Sequence, residues 1–95
     1  LTVGELKLDL QQMRISLAGR PLKVTPLEFR LLSFLMHNRG KVIGQDMLAE
    51  HIYHRDQEPD SNAIEVLVGR LRRKIGAKII QTQRGFGYII PEENP

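Results

Sequence analysis

The four residues Thr25-Pro26-Leu27-Glu28 constrain the possible folds more than any other part of the sequence. Thr25 can cap a helix, proline suits the first helical position, and Glu28 stands where a capping box places a carboxylate. A helix therefore begins at Pro26. This boundary divides the chain into a short N-terminal segment, which must form a structure other than this helix, and a longer segment that can form several helices.

The residues before this helix predict short antiparallel strands. Apolar and polar residues alternate roughly over Val3–Leu8, Arg14–Leu17 and Pro21–Val24, and the intervening segments Asp9–Gln12 and Ala18–Arg20 are typical of turns. A sheet this small is not stable with both faces in water. We therefore expect helices to pack on one face of it.

Two helices are predicted in the next part of the chain. The first spans Pro26–Asn38, where apolar residues recur at helical spacing until Gly40 offers a left-handed exit. The second, Gln45–Tyr53, is shorter. Its length and position favour the first helix of a helix-turn-helix.

A third helix follows a polar loop that contains Pro59. Asp60 or Ser61 can cap this helix, and Gly76 ends it. Its apolar residues recur with the helical period and form one narrow stripe that must face the core. They are Ile64, Val68, Leu71 and Ile75.

The last predicted element is a β-hairpin, in which the strands Lys78–Gln83 and Tyr88–Ile90 flank the turn Arg84-Gly85-Phe86-Gly87. With 95 residues, the chain is expected to form a single α+β domain. Its parts are the sheet (1–24), a three-helix core (25–76), the hairpin (77–90) and a frayed tail (91–95).

Composition excludes several classes of function. The absence of cysteine removes disulfides and thiol chemistry and fits a reducing cytoplasm. No apolar run approaches the length of about 20 residues that a membrane span needs. The sequence has no nucleophile elbow, phosphate loop or zinc signature, so we expect neither an enzyme nor a cofactor. His51, His54 and Asp56 could ligate a metal, but surface histidines explain this spacing better.

The charge of the chain is unevenly distributed. The net charge is +3, and no Asp or Glu occurs between Val66 and Pro91, a segment that contains six basic residues. They are Arg70, Arg72, Arg73, Lys74, Lys78 and Arg84. The rest of the chain carries a net charge of −3. One side of the molecule is therefore suited to a polyanion.

The face of the third helix opposite its apolar stripe indicates double-stranded DNA as that polyanion. This face carries Asn62, Val66, Gly69 and Arg73, with Ala63 and Arg70 beside them. Amide, methyl and guanidinium groups are the groups that read base edges, whereas a merely solvated face would carry Glu, Lys and Gln.

Two further residues, Gly69 and Arg84, support this interpretation. Gly69 costs about 1 kcal/mol relative to alanine in a helix, which indicates close approach of another body, either DNA or the hairpin. Arg84 stands at the tip of a thin ribbon, where it fits the narrow, negative minor groove. A simply solvated Arg84 is the alternative.

Four motifs in order give the sequence a resemblance to the OmpR/PhoB family of response-regulator effector domains. They are Thr25-Pro26-Leu27-Glu28-Phe29 with Leu31-Leu32, Ser61-Asn62 through Glu65-Val66, Arg70 through Gly76, and Thr82 through Tyr88. The resemblance covers about Val3–Ile90 and implies a winged helix-turn-helix. It also implies a four-stranded N-terminal sheet, three helices, a hairpin wing, and a receiver domain outside this sequence.

The resemblance implies residue roles as well. The positions that read bases correspond to Asn62, Ala63, Val66 and Arg70. The positions that contact phosphates correspond to Arg72, Arg73, Thr82 and Tyr88, and the minor-groove arginine corresponds to Arg84. The segment that faces RNA polymerase corresponds to Tyr53, His54, Arg55, Asp56, Gln57, Glu58 and Pro59. The implied partners are promoter DNA with direct repeats, RNA polymerase, and a sensor histidine kinase acting on the receiver.

Two residues depart from the family pattern. Leu67 stands where many members have histidine, and Gly69 stands where many have a bulkier polar or charged residue.

A winged helix that binds protein or RNA is the alternative function. A protein-binding face would carry aromatic or methionine anchors, and an RNA-binding face would carry stacking aromatics.

Overall fold

Six strands and three helices follow one another within residues 1–54 and 56–92, the part of the chain that the computed structural model describes. The strands are β1 (Thr2–Val3), β2 (Leu6–Asp9), β3 (Arg14–Leu17), β4 (Arg20–Leu22), β5 (Gln81–Gln83) and β6 (Gly87–Ile89). The helices are α1 (Pro26–His37), α2 (Gln45–Ile52) and α3 (Ala63–Ile75). This order confirms the predicted α+β class.

The N-terminal strands form an antiparallel sheet in the order β1-β2-β3-β4. Leu8 pairs with Ile15, and both side chains are buried under the helices together with Leu6. The predicted single strand Val3–Leu8 is wrong, because the chain turns at Gly4, where φ is +56°, and forms two strands.

The boundaries of the fourth strand also differ from the prediction. Ala18 and Gly19 have φ of +53° and +81°, as in the tight two-residue turns that join antiparallel strands. Because the turn needs only these two residues, Arg20 already pairs with Leu17. The strand is therefore Arg20–Leu22, and the predicted strand Pro21–Val24 is displaced.

The capping box of α1 is confirmed. The Thr25 hydroxyl accepts a hydrogen bond from the Glu28 backbone N–H at 3.2 Å, and Glu28 Oε1 accepts one from the Thr25 backbone N–H at 2.9 Å. The helix ends at His37, one residue before the predicted end. Glu28 is itself buried, with 1% of its surface exposed.

The start of α3 was predicted wrongly. The helix begins at Ala63 with Asn62 as the capping residue, and no side-chain cap hydrogen bond is formed. A backbone turn, in which Ala63 N–H donates to the Asp60 carbonyl, leads into the helix instead of a side-chain cap from Asp60 or Ser61. Gly76 ends α3 with φ of +96°, as predicted.

The C-terminal hairpin is shorter than predicted. Its first strand begins at Gln81 rather than Lys78, because residues 77–80 turn and place Ile80 in the core with no exposed surface. Tyr88 exchanges backbone hydrogen bonds with Ile43, between α1 and α2, at 2.8 and 2.9 Å. This bridge ties β6 to the helical body. The tail residues 93–95 lie outside the described residues.

One hydrophobic core joins both sheets and all three helices. The predicted stripe of α3 is confirmed, since Ile64, Val68, Leu71 and Ile75 are all at most 4% exposed. Leu67 is equally buried and widens the stripe. Among the described residues, no helix has the length and apolar character needed to cross a bilayer.

Candidate nucleic-acid interface

The outer face of α3 projects the side chains that were predicted to read bases. Asn62, Val66 and Arg70 are exposed, and 42% of the Val66 surface is open to solvent. Ala63 lies beside them and is half-buried. The helix is thus oriented with its apolar stripe inward and this set outward, and whether the set contacts DNA stays a prediction.

A cleft of about 770 Å³ separates α3 from the hairpin. One wall is the edge of α3 that carries Glu65, Gly69 and Arg72, and the other is the hairpin from Thr82 to Tyr88. Gly44, which precedes α2, and the first helical residues Gln45 and Asp46 line the end of the cleft. The sequence did not single out this end, because nothing local to α2 indicates its proximity to the hairpin.

Gly69 opens into this cleft without packing against the hairpin. A Cβ built at Gly69 would meet no atom within 4 Å outside its own helix. Packing against the hairpin, one of the two explanations for this glycine, is therefore wrong. The fold would accept alanine here, so the fold does not explain the glycine.

Arg72 lies between α3 and the hairpin. Its Nε and Nη2 donate to the Ile80 carbonyl at 3.1 and 2.7 Å, and Nη2 also donates to Thr82 Oγ1 at 2.8 Å. The guanidinium carbon stands 5.9 Å from the centre of the Tyr88 ring. Arg72 was predicted to contact a phosphate, and the structure gives it partners within the protein.

Tyr88 and Thr82 differ in how much of their side chains is exposed to a ligand. Thr82 is exposed on β5, whereas Tyr88 is 6% exposed, and its hydroxyl lies 3.5 Å from Gln45 Nε2. The same Gln45 Nε2 donates to Glu65 Oε1 at 3.2 Å. Tyr88 lines the cleft but therefore exposes little of its side chain to a phosphate.

Lys74 does not belong to the exposed basic set. Its Nζ lies 2.6 Å from Oε1 of the buried Glu28, which joins the end of α3 to the start of α1. Counting Lys74 with the DNA-facing charges was therefore wrong. The helical wheel could have found this, since position 74 lies at the edge of the apolar stripe, beside Leu67.

The environment of Glu28 favours its charged form. Burial alone would raise its pKa, but the hydrogen bond and charge of Lys74 and the hydrogen bonds from Thr25 together lower the pKa below its usual value. The carboxylate therefore stays ionised at neutral pH and neutralises Lys74. Four cations of the basic segment remain exposed without an ion pair to any described residue. They are Arg70, Arg73, Lys78 and Arg84.

The hairpin turn presents Arg84 beside a very exposed aromatic side chain. Arg84 is exposed, and Phe86 has 79% of its surface open to solvent. Gly87 follows with φ of +147°, and a Cβ there would collide with the Ile43 carbonyl. The glycine thus allows the turn to lie directly over the segment between α1 and α2.

The sequence matches the family described as "Transcriptional regulatory protein, C terminal" over residues 19–90. The chain belongs to this family. It is also 41% identical, over all 95 of its residues, to the response regulator protein PmrA of Pseudomonas aeruginosa, of which it covers 43%. The chain thus spans less than half the length of this curated relative.

Solved structures agree with the family assignment. The DNA-binding domain of CpxR from E. coli superposes with a TM-score of 0.84 at 30% identity, over 96% of this chain and 94% of that one. The OmpR/PhoB homologue DrrB of Thermotoga maritima superposes with a TM-score of 0.88 at 26% identity, over 97% of this chain and 44% of that one. The resemblance to the OmpR/PhoB effector domains and the winged-helix fold are confirmed.

The segment between α2 and α3 of this OmpR/PhoB-type domain is largely exposed. His54, Gln57 and Glu58 are open to solvent, and the Gln57 side chain accepts a hydrogen bond from the His54 backbone N–H at 2.8 Å. Tyr53 is half-buried, and Arg55 lies outside the described residues. The predicted contact with RNA polymerase is not tested by this arrangement.

His51, which was considered as a metal ligand, is engaged otherwise. Its ring stacks on Phe34 with centroids 4.2 Å apart, and its Nδ1 lies 2.9 Å from the Met47 carbonyl oxygen. Within residues 1–54 and 56–92, no three His, Asp or Glu side chains are grouped so that they could hold a metal ion.

Proposed function

We propose that this domain binds duplex DNA as the effector part of a two-component response regulator, with α3 in the major groove and the hairpin turn in the minor groove. One observation carries the proposal. The outward face of α3 presents amide, apolar and guanidinium groups beside a hairpin whose Arg84 has no ion pair among the described residues. These groups complement base edges and a negative groove.

The dimensions of α3 fit this binding mode. Its 13 residues span about 20 Å, and a helix with its side chains is about 10–12 Å wide, close to the width of the major groove. Asn62, Ala63, Val66 and Arg70 would contact bases. Arg72, Arg73, Thr82 and Tyr88 would contact phosphates on either side of the groove.

The family and its named members support the same function. PmrA is a response regulator, and the matching part of CpxR is its DNA-binding domain. For the whole protein we propose a receiver domain phosphorylated by a sensor histidine kinase, action in the cytoplasm, and binding to direct repeats in promoters. We also propose that residues 1–95 form one domain and that residues 53–59 contact RNA polymerase.

A titration of the protein against random duplex DNA at several salt concentrations tests the proposal. Binding through phosphates should weaken steeply with salt, whereas a protein-binding domain should show no affinity for the duplex. Arg70→Ala should weaken binding to a selected duplex more than to random duplex, because arginine at a base edge contributes to discrimination. Lys7→Ala, which removes an exposed cation from the outer face of the N-terminal sheet, is the matched control and should change neither.

Tighter binding to an RNA duplex than to DNA of the same sequence would contradict the proposal. So would equal affinity at low and high salt.

A further inference from the structure

The hairpin is held to the rest of the molecule along two edges by different means. On the β6 edge, Tyr88 exchanges backbone hydrogen bonds with Ile43, and Gly40 N–H donates to the Ile90 carbonyl at 2.9 Å. On the β5 edge, the hydrogen bonds that the described residues show between α3 and the hairpin all come from Arg72. Arg72 therefore supplies the side-chain hydrogen bonds that join the β5 edge to α3.

The shape of the guanidinium group suits this role. Nε and Nη2 share the Ile80 carbonyl, Nη2 reaches Thr82 Oγ1, and the group stands beside the Tyr88 ring. These contacts use two of its nitrogens at once. A lysine ammonium keeps the charge but cannot reproduce this planar, multidentate geometry. The arrangement thus depends on arginine and not only on a positive charge.

We propose that Arg72 is a positioning residue that sets the hairpin turn relative to α3, so that reading of the flanking minor groove by Arg84 depends on it. The inference rests on the proposed DNA-binding mode. Without Arg72 the hairpin keeps its β6 edge and its contacts with the core but loses the side-chain hydrogen bonds between its β5 edge and α3. The exposed tip that carries Arg84 is then held less firmly relative to the major-groove contacts.

This role differs measurably from the phosphate contact that the family resemblance implies for Arg72. A phosphate contact strengthens binding to every sequence and adds about one unit to the salt slope. A positioning contact leaves the salt slope unchanged when the charge is kept. It affects the preference for narrow minor grooves, which A·T-rich flanks provide and which attract an inserted arginine.

The experiment compares affinities for two duplexes that share a selected core site and differ in A·T-rich or G·C-rich flanks. The proteins are the wild type, Arg72→Lys, Arg84→Ala and the double variant. We expect Arg84→Ala and Arg72→Lys each to bring the ratio of the two affinities to within about twofold of one. The double variant should lower it no further, since both changes remove the same contribution.

Two additional variants keep the result interpretable. Arg14→Lys makes the same exchange at an exposed arginine of the N-terminal sheet, outside the proposed DNA interface, and should retain the wild-type flank preference. Thr82→Val keeps the side-chain shape but removes one acceptor of Arg72, so it should lose part of that preference even if Arg72→Lys folds poorly. In the absence of DNA, the NMR chemical shifts of the backbone amides in the hairpin should also differ between Thr82→Val and the wild type.

The outcomes separate the two proposals. A wild-type protein that does not bind duplex DNA overturns the proposed function and this role with it. A wild type with flank preference, together with an Arg72→Lys variant that keeps the preference, overturns the positioning role alone. Loss of about one unit of salt slope in Arg72→Met with unchanged flank preference would also overturn it, because Arg72 would then be only a phosphate contact.

Discussion

The helices α1 and α3 have nearly the same length, 12 and 13 residues, but they are built differently. The first begins with a reciprocal capping box and a proline, whereas the second begins at Ala63 without a side-chain cap and carries Gly69 in its middle. The second also exposes Val66, a β-branched residue that slightly disfavours a helix. Helix α1 is stabilised locally, and α3 forms because the core holds it.

This difference separates residues that stabilise the fold from residues that are proposed to bind DNA. Local helix signals and burial agree throughout α1, as expected of an element that serves only the fold. In α3 the inner stripe serves the fold, while two outward residues, Val66 and Gly69, have low helix propensity. The two helices meet at the ion pair of Glu28 and Lys74, where the capping carboxylate of α1 binds the last turn of α3.

The largest expected effect concerns the cations on the two sides of α3. With about four to six phosphates neutralised, log K should fall against log salt with a slope of about −4 to −5, or more than about 100-fold between 50 and 200 mM salt. Arg73→Met should reduce the slope by about 1, because Arg73 is exposed and unpaired among the described residues. Lys74→Met should leave it unchanged.

Titrations by fluorescence anisotropy at several salt concentrations measure these slopes. A Lys74→Met variant with the reduced slope of Arg73→Met would show that Lys74 leaves Glu28 to bind DNA, and the comparison between the two sides of α3 would fail.

The next effect concerns the link between α1 and α3. Glu28→Gln should lower the free energy of unfolding by about 2 kcal/mol at pH 7, since it removes a charge-assisted hydrogen bond to Lys74 but keeps an acceptor for Thr25. Glu50→Gln, an exposed carboxylate on α2, is the control and should change it by less than about 0.5 kcal/mol. Urea unfolding measures both.

The pH dependence of this effect has a definite sign. Because folding lowers the pKa of Glu28, the ion pair stabilises the protein fully above the unfolded pKa of about 4.5. The contribution is lost as the pH falls through the lower, folded pKa. The wild type and Glu28→Gln should therefore converge in stability in acid, and a difference that grows below pH 4 would contradict this account.

The parts of the fold that could be predicted from sequence depend on short-range contacts. The start of α1 was predictable because its capping hydrogen bonds join residues three apart, and the α3 stripe because its period is local. The pair of Glu28 and Lys74 was not, since its members are 46 residues apart. The first strand of the hairpin begins at Gln81 rather than at Lys78 because Ile80 turns into the core. The alternation of apolar and polar residues does not reveal this turn.

The candidate site divides in the same way. The outward side chains of α3 follow from its period, whereas the hydrogen bonds of Arg72 to Ile80 and Thr82 require the hairpin to fold back on the helix. Sequence reasoning therefore gave the surface residues of the site, and tertiary structure was needed to show how they are held.

A smaller effect is expected from Gly69, the residue in which α3 departs most from α1. Gly69→Ala should raise the free energy of unfolding by about 1 kcal/mol, because alanine favours the helix and its Cβ meets no atom within 4 Å outside α3. Close approach of DNA to this position should make the same change weaken duplex binding by about tenfold, or about 1.4 kcal/mol.

Gly76→Ala provides the contrast. The same substitution at the end of α3 should destabilise the protein, since φ there is +96°. Unchanged duplex affinity in Gly69→Ala would show that DNA does not approach this glycine and that its presence in α3 is unrelated to binding.

The smallest expected change in stability concerns Val66. Its side chain is 42% exposed and lies away from the core stripe, so stability does not explain a β-branched residue there. In the major groove its methyl groups can pack on the C5-methyl of thymine, a contact that cytosine does not offer. Val66→Thr keeps the branched shape and exchanges one methyl group for a hydroxyl. It should therefore alter base preference and leave the fold intact.

The variant should unfold within about 0.5 kcal/mol of the wild type, as surface changes usually do. It should lose about 1 kcal/mol of preference for thymine over cytosine or uracil at one position of a selected duplex, with affinity for random duplex unchanged. Uracil is the decisive substitute, because it pairs like thymine and lacks only the methyl group. Equal losses on thymine and uracil duplexes would assign the effect to the new hydroxyl. An unchanged preference would make Val66 an incidental surface residue, and α3 would then differ from α1 at this position for a reason other than base reading.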